Sequence, residues 1–496
     1  MPPEYREPAG DLPGAPSGHD MGVLMAILVV ALAVRLAGLG APLWFDEIVT
    51  VQTQLRLPWS AMMQSYSMNH HYLFSVEAKL ATALFGETIW AIRLPALLFG
   101  LGTVAAVWWL ARDVAGPRIA HVAALLVALS YHQVWFSQNA RGYTELAFFS
   151  TLGLIFFLRG MERPARGTWI GFGLALAGAV FTHLTGVFFF AGLGLLWLGA
   201  LGSRAAAGRL VPGIVARPLQ GVFAAGVLLI LLYLPVVPEV IRTIGAVAGT
   251  SAVDPMQEYQ SPLWSVVEGL RSAIGSAGAP AALIGIAAAA VIALGAIGMH
   301  RRAPLFAPAI AAHVLVTVAV LMALDMRIWP RFFFTDIGLA MILVVAGCAT
   351  GARLAAQLLA RPALGRGLFA ACVLVLLVVS AGLLQRNYRA PKQDLAGAFA
   401  AAESARTEGE RIYALGPGAE IFQGFFHADW GRIDTAEDYA AAMEAPGALL
   451  LVIAFPDRMF RTIPALARDS AGPLTLVRRL PGTLGDGYVL IYRRPG

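Results

Sequence analysis

The sequence predicts an α-helical polytopic membrane protein of about 11 transmembrane helices, followed by a small C-terminal α/β domain. Three observations carry that expectation. Apolar residues make up 58% of the 496 residues and charged ones only 13%, about half the charged share of a soluble domain. The apolar residues gather in runs long enough to span a bilayer, and mean hydropathy over the chain is +0.69. After residue 385 the pattern changes to short strand-like runs among mixed charges.

Each element follows in order. Residues 1–20 read as a flexible polar tail without the basic n-region of a cleaved signal peptide, so the first apolar run is a retained helix. Spans are expected near 21–40, 89–111, 118–135, 142–159, 168–182, 184–201, 219–238, 279–299, 305–324, 332–351 and 367–385. They make a membrane domain over 21–385 with two large outer loops, 41–88 and 239–278. The first loop mixes apolar anchors with isolated charges, the pattern of short helices lying in the interface plane.

Residues 386–496 contain the strand-like runs "RIYALG", "ALLLVIAF", "LTLVRRL" and "GYVLIYRR", with helical stretches at 392–405, 435–444 and 457–468 between them. Such alternation predicts an α/β domain. It has no Gly-rich phosphate loop, so binding or scaffolding is its expected role.

Arginine placement orients the helices. With the N-terminus in the cytoplasm, every inside loop is basic, among them the loops with Arg118, Arg302, Arg353 and Arg366. The acids Asp46 and Glu47 and the C-terminal domain then face outward. The net charge of +6 is scattered over these loops rather than clustered, which argues against a nucleic-acid partner. Cys348 and Cys372 both lie in apolar segments and imply no disulfide framework.

Ionisable groups at membrane depth are costly and point to function. The outer helix ends collect Asp46 and Glu47 in "APLWFDEIVT", and Asn69, His70 and His71 in "NHHY". Gln138, Arg141, Tyr143 and Glu145 follow in "FSQNARGYTE", then His183 in "FTHLTG" and Arg331 in "WPRFFF". Arginine pairs well with phosphate oxygens, and an aspartate suits the role of general base toward a hydroxyl. A lipid phosphate, an acceptor hydroxyl and a base together describe glycosyl transfer.

In order and spacing, "RLAGLGAPLWFDEIVT", "NHHYLF", "AIRLPALLFGLGTVAAVWWLARDVAG" and "FSQNARGYTELAFF" resemble membrane glycosyltransferases of the GT-C class. The branch is that of the dolichyl-phosphate-mannose-protein mannosyltransferases and the bacterial lipid A aminoarabinose transferases. The resemblance is strong over about 35–200 and looser through "PRFFF". It implies a GT-C fold in a bacterial inner membrane, a polyprenyl-phosphate sugar as donor and an extracytoplasmic acceptor such as lipid A, a polysaccharide, another lipid or a protein.

The resemblance further implies that Asp46 is the catalytic base, with Glu47 assisting acceptor or metal binding. Arg141 and Arg331 would hold the donor phosphate, and Gln138 and Tyr143 would shape that pocket. Asn69, His70, His71 and His183 are the expected substrate-binding set. No cofactor is required, although Asp46 and Glu47 would hold a divalent metal if one takes part. Asn139 stands where relatives carry an acid and Tyr72 where they carry a proline, which leaves donor sugar and loop geometry open.

Direct displacement at the anomeric carbon, with inversion, is the expected mechanism. An O-antigen ligase or polymerase using a lipid-diphosphate donor is the nearest alternative. A secondary transporter would show repeated halves with broken helices, and no duplication is visible here.

Overall fold

The computed structural model describes residues 14–67, 70–247 and 279–496. Residues 1–13 of the tail expected over 1–20, residue Asn69 and the outer loop beyond 247 lie outside the described residues, and α1 begins inside that expected tail, at Gly18. The first span, α1 (Gly18–Leu36), starts at Ser17, whose side chain accepts the Asp20 backbone N–H while Asp20 accepts the Ser17 N–H in return. That reciprocal cap satisfies donors a helix start otherwise leaves open.

Between α1 and the next span run three short helices, α2 (Phe45–Thr50), α3 (Trp59–Gln64) and α4 (Tyr72–Phe85). Among the described residues the longest helix, α5 (Ile89–Ala115), has 27 residues and at 1.5 Å per residue is roughly 40 Å long, enough to cross a bilayer. It is followed by α6 (Pro117–Leu129), α7 (Tyr131–Ser137), α8 (Tyr143–Glu162), α9 (Arg166–Thr182), α10 (Gly186–Ala206) and α11 (Pro212–Tyr233). The last membrane helices are Ala279–Met299, Phe306–Ala323, Phe334–Leu358 and Pro362–Leu384.

Helices stand at all eleven expected positions, but fewer qualify as full spans. Among the described residues eight are long and apolar enough to cross a membrane, or nine if the pair α6 and α7, bent by 58°, counts as one. One shortfall is of length, α9 having 17 residues.

The membrane helices close around one core that includes Trp108, Val127, Leu154, Phe172, Leu193 and Leu339. Without a hydrophobic drive between helices in lipid, close backbone contact supplies the packing. A Cβ added to Gly347 would lie 1.9 Å from the Val291 carbonyl oxygen, and one on Gly295 2.0 Å from that of Leu343. The helices Ala279–Met299 and Phe334–Leu358 therefore touch through their backbones. Inside the bundle, Asp336 accepts a hydrogen bond of 2.9 Å from His313 Nδ1, tying Phe306–Ala323 to the start of Phe334–Leu358.

The C-terminal residues build a five-stranded sheet in the order β2-β1-β3-β5-β4. β1 (Arg411–Leu415) is parallel to both β2 (Gly431–Ile433) and β3 (Leu449–Ala454); β5 (Val489–Arg494) is antiparallel to β3 and to β4 (Thr475–Leu480). All six residues of β3 are buried, as a central strand covered on both faces requires. One face of the sheet does not close on itself. Ile412, Phe422, Leu450 and Val452 share an apolar cluster with Leu43, Ile48, Val51 and Phe74 from the loop after α1. The domain thus sits directly on α2.

Candidate active site

Consecutive helical residues point about 100° apart, so Asp46 and Glu47 on α2 cannot face the same surroundings. Glu47 is fully buried and both of its oxygens are committed. Its Oε1 accepts from Arg93 Nε at 2.8 Å and the Ala140 N–H at 2.7 Å; its Oε2 accepts from an Arg93 terminal nitrogen at 2.7 Å and the Trp44 N–H at 3.2 Å. Burial alone would raise this carboxyl, but Arg93, Lys392 and the Ala140 N–H outweigh it and hold it below the usual range. Arg93 in turn donates to the carbonyls of Leu39, at 2.6 Å, and Ala41, at 2.8 Å. Glu47 and Arg93 form a structural clasp that fixes α2 to α5 and to residue 140.

Asp46, by contrast, keeps 13% of its side chain exposed and lies 3.5 Å from Arg331, whose side chain is 30% exposed. Arg331 comes from the turn Pro330–Phe333 and also covers the Trp329 ring at 4.7 Å. The main chain of α2 is linked to Arg141 as well. The Thr50 hydroxyl donates to the Asp46 carbonyl at 2.9 Å and accepts from Arg141 at 3.0 Å.

Behind these groups stands His71, flanked by Tyr143 at 4.7 Å and His183 at 4.6 Å between ring centroids. Neither of its ring nitrogens has a hydrogen-bond partner among the described residues. Burial first, then the charges of Arg141, His183, His70 and Arg331, push the His71 imidazole well below its usual range, so it is neutral at neutral pH. His183 stands 6.3 Å from Phe332, which closes the ring of contacts back to Arg331. Its Nδ1 accepts the Thr185 N–H at 3.2 Å.

Asp46, Arg141, Arg331, His71, His183 and Tyr143 are therefore brought together. Besides Glu47, two expected site residues are not. Gln138, expected in the phosphate pocket, instead donates its amide nitrogen to the Arg35 carbonyl at 2.7 Å, and its amide oxygen accepts from Asn387 at 2.6 Å. It clasps the end of α1 to the chain entering the C-terminal domain. His70 turns away onto the Tyr72 ring, at 3.8 Å between centroids, with Nδ1 against the Ser65 carbonyl at 3.2 Å; burial brings it down to about 3. Asn69 falls outside the described residues.

Glu47 also fails as a metal ligand, since its oxygens are committed. Among the described residues no group of three or more His, Cys, Asp or Glu side chains could hold a metal ion. Asn139, where relatives carry an acid, accepts a 3.0 Å hydrogen bond from the Trp44 indole and steadies the entry to α2.

Two acids near the pocket form a pair that sequence reasoning missed. Glu77 on α4 and Glu145 on α8 face each other within hydrogen-bonding reach, and burial lifts Glu77 to about 7. Gly142 lets Glu145 sit beside His71 and Thr182: a Cβ there would fall 2.6 Å from Thr182 Cγ2, 3.0 Å from Glu145 Oε2 and 3.1 Å from His71 Nδ1. The legible signal is Glu77 standing alone as an acid in the apolar stretch "YLFSVEAKLATALF".

Known proteins share this architecture. Residues 70–238 match the family model described as dolichyl-phosphate-mannose-protein mannosyltransferase. Among solved structures, apo ArnT from Cupriavidus metallidurans aligns with TM-score 0.55 at 15% identity, over 96% of this chain and 98% of that one. The same protein bound to undecaprenyl phosphate aligns at 0.50, with 15% identity and the same coverage. No curated protein matches the chain by sequence.

Proposed function

We propose, from the premise that this multi-pass membrane protein has the GT-C glycosyltransferase fold, that it moves a sugar from a polyprenyl-phosphate carrier to an extracytoplasmic acceptor hydroxyl. The observation that carries this function is the Asp46–Arg331 contact of 3.5 Å. It joins residues 285 positions apart beside Arg141, which Thr50 links to the Asp46 backbone, and a neutral His71. A base and two guanidiniums around one opening are what displacement of a phosphate requires.

In that reaction the Asp46 carboxylate takes the acceptor's hydroxyl proton as the oxygen attacks the anomeric carbon. The bond from that carbon to the phosphate oxygen breaks, and polyprenyl phosphate leaves with the electron pair. Arg331 and Arg141 receive the phosphate charge through charge-assisted hydrogen bonds. Arg331 changes partners from Asp46 to the phosphate when donor binds, which frees the carboxylate. Attack opposite the leaving group inverts the anomeric configuration. His71 and Tyr143 line the sugar subsite, the imidazole acting as a neutral hydrogen-bonding group.

The likeness to a structure holding undecaprenyl phosphate supports a polyprenyl monophosphate as leaving group. Lipid A, a polysaccharide, another lipid and a protein are the acceptor classes to test. The basic loops opposite the pocket support a cytoplasmic N-terminus, an outward pocket and residence in a bacterial inner membrane.

The test uses purified protein in lipid, a panel of polyprenyl-monophosphate sugars and a membrane extract as acceptor. Acceptor-dependent release of polyprenyl phosphate should fall about 10²–10⁴-fold in Asp46→Asn. Equal release by both proteins removes Asp46 from the mechanism. Turnover of a diphosphate-linked donor alone gives the ligase or polymerase reading its place.

A further inference from the structure

At the end of the bundle away from Asp46 lies a second opening, a cavity of about 1060 Å³. α5 runs between the two ends: Ile92 and Ala96 belong to the cluster under the C-terminal domain, while Val114 and Ala115 line this cavity. The two sites are thus separated by most of the roughly 40 Å length of that helix. The cavity's walls come from the start of α6, the ends of Ala279–Met299 and Phe334–Leu358, and the start of Pro362–Leu384.

Its lining has a divided character. Ile119, Met299 and Phe369 make apolar walls, while Arg118, Arg302, Arg353 and Arg366 stand around them, and the lining contains no Asp or Glu. All four arginines are exposed. The contacts that two of them make are long and to neutral atoms: Arg302 Nε to the Asp113 carbonyl and Arg353 to the Thr350 hydroxyl, each at 3.4 Å. The nearby Asp113 carboxylate is held by Arg159 at 2.7 Å. Four like charges around one opening repel each other unless an anion sits among them.

Beyond Phe369 the cavity-side row of Pro362–Leu384 continues through the half-buried Val373, Leu376 and Leu377, while Leu374, Val375, Val378 and Val379 expose the other side of that helix. A small soluble anion satisfies the arginines and leaves the apolar walls empty. An acyl chain alone does the reverse. Both requirements are met by a lipid with an anionic head, and basic pockets between helices at this depth suit such headgroups.

We propose that this cavity is a binding site for an anionic phospholipid of the phosphatidylglycerol class, its phosphodiester among the four arginines and its acyl chains along Ile119, Met299 and Phe369 and the half-buried row that follows Phe369. A bulk leaflet lipid fits better than a polyprenyl monophosphate, because the arginines come from four separate segments around a cavity of about 1060 Å³.

Native mass spectrometry of the full-length protein in detergent tests this. Dioleoyl phosphatidylglycerol is titrated against dioleoyl phosphatidylcholine, which has the same chains and a neutral head. Phosphatidylglycerol adducts should dominate, and Arg302→Gln with Arg366→Gln should weaken them by about tenfold or more. Ala349→Trp, which fills the cavity and keeps every arginine, should weaken them similarly. Thermal melts of each variant confirm that it is folded. Equal binding of the two lipids, or undiminished adducts in both variants, overturns the proposal. Displacement of phosphatidylglycerol by decaprenyl phosphate or by inorganic phosphate at equal concentration overturns it as well, by showing a monophosphate or simple anion site.

Discussion

At the residue scale, two neighbouring acids have been assigned opposite duties by their environments. Glu47 and Arg93 are both wholly buried at 2.7 Å. Removing one partner of such a pair strands a charge in a low dielectric, so Arg93→Leu should cost about 3–5 kcal/mol. The double variant with Glu47→Gln should recover much of that loss in thermal or denaturant unfolding. Asp46→Asn should leave stability nearly unchanged while turnover collapses. The Glu77–Glu145 pair makes a pH prediction. Glu77 holds its proton to about 7, against an ordinary value of 4.5. Its contribution to stability is complete below about 4.5 and is lost as pH rises through about 7. Glu77→Gln should therefore flatten the fall in melting temperature between those values; an unchanged profile would remove the pair as its source. Chelator treatment should leave the transfer rate unaltered, and a loss restored by added divalent cation would reverse that expectation.

At the scale of elements, the membrane helices are legible because an apolar run of spanning length can satisfy its backbone in lipid only as a helix. Their number is less so: α9 is apolar but only 17 residues long, and composition does not register so small a shortfall. Strands β1, β3, β4 and β5 stand where alternating apolar runs predict them, whereas β2, only three residues long, carries too little pattern to be seen. In the site, Asp46, Arg141 and Arg331 are readable as charges at helix ends. Gln138 is not, because an amide has no sequence signature separating a ligand contact from a backbone clasp. The His313–Asp336 bond escapes sequence reading because residues 23 apart meet only through the bundle's packing. It steadies the helix that begins just after Arg331, so His313→Leu should raise the KM for donor more than it lowers kcat. The close approach at Gly347 predicts that Gly347→Leu separates two helices and lowers the melting temperature sharply.

At the scale of the whole molecule, the C-terminal domain and the pocket are one mechanical unit. Lys392, in the connection between them, donates to the Gln138 carbonyl at 2.5 Å and lies 5.1 Å over the Trp135 ring. Burial, with Arg93 adding to it, lowers that ammonium from 10.5 to about 7. Its contribution to stability is therefore present above about 10.5 and is lost as pH falls through about 7. Trp135 also donates to the Thr483 hydroxyl at 3.3 Å. Truncation after residue 390 should leave an insertable bundle with no turnover; full activity of the truncated chain would show the domain dispensable.

That shared core has a consequence in time. Ile48 and Val51 on the segment bearing Asp46 share part of their apolar cover with Ile412, Phe422 and Val452, which the ribosome makes some 360 to 400 residues later. The segment that carries the base is among the first parts synthesised and among the last to be seated. A nascent chain halted before β1 would hold its helices in the bilayer with Ile48 and Val51 still lacking that cover, so the last part of the chain to be made seats one of the first.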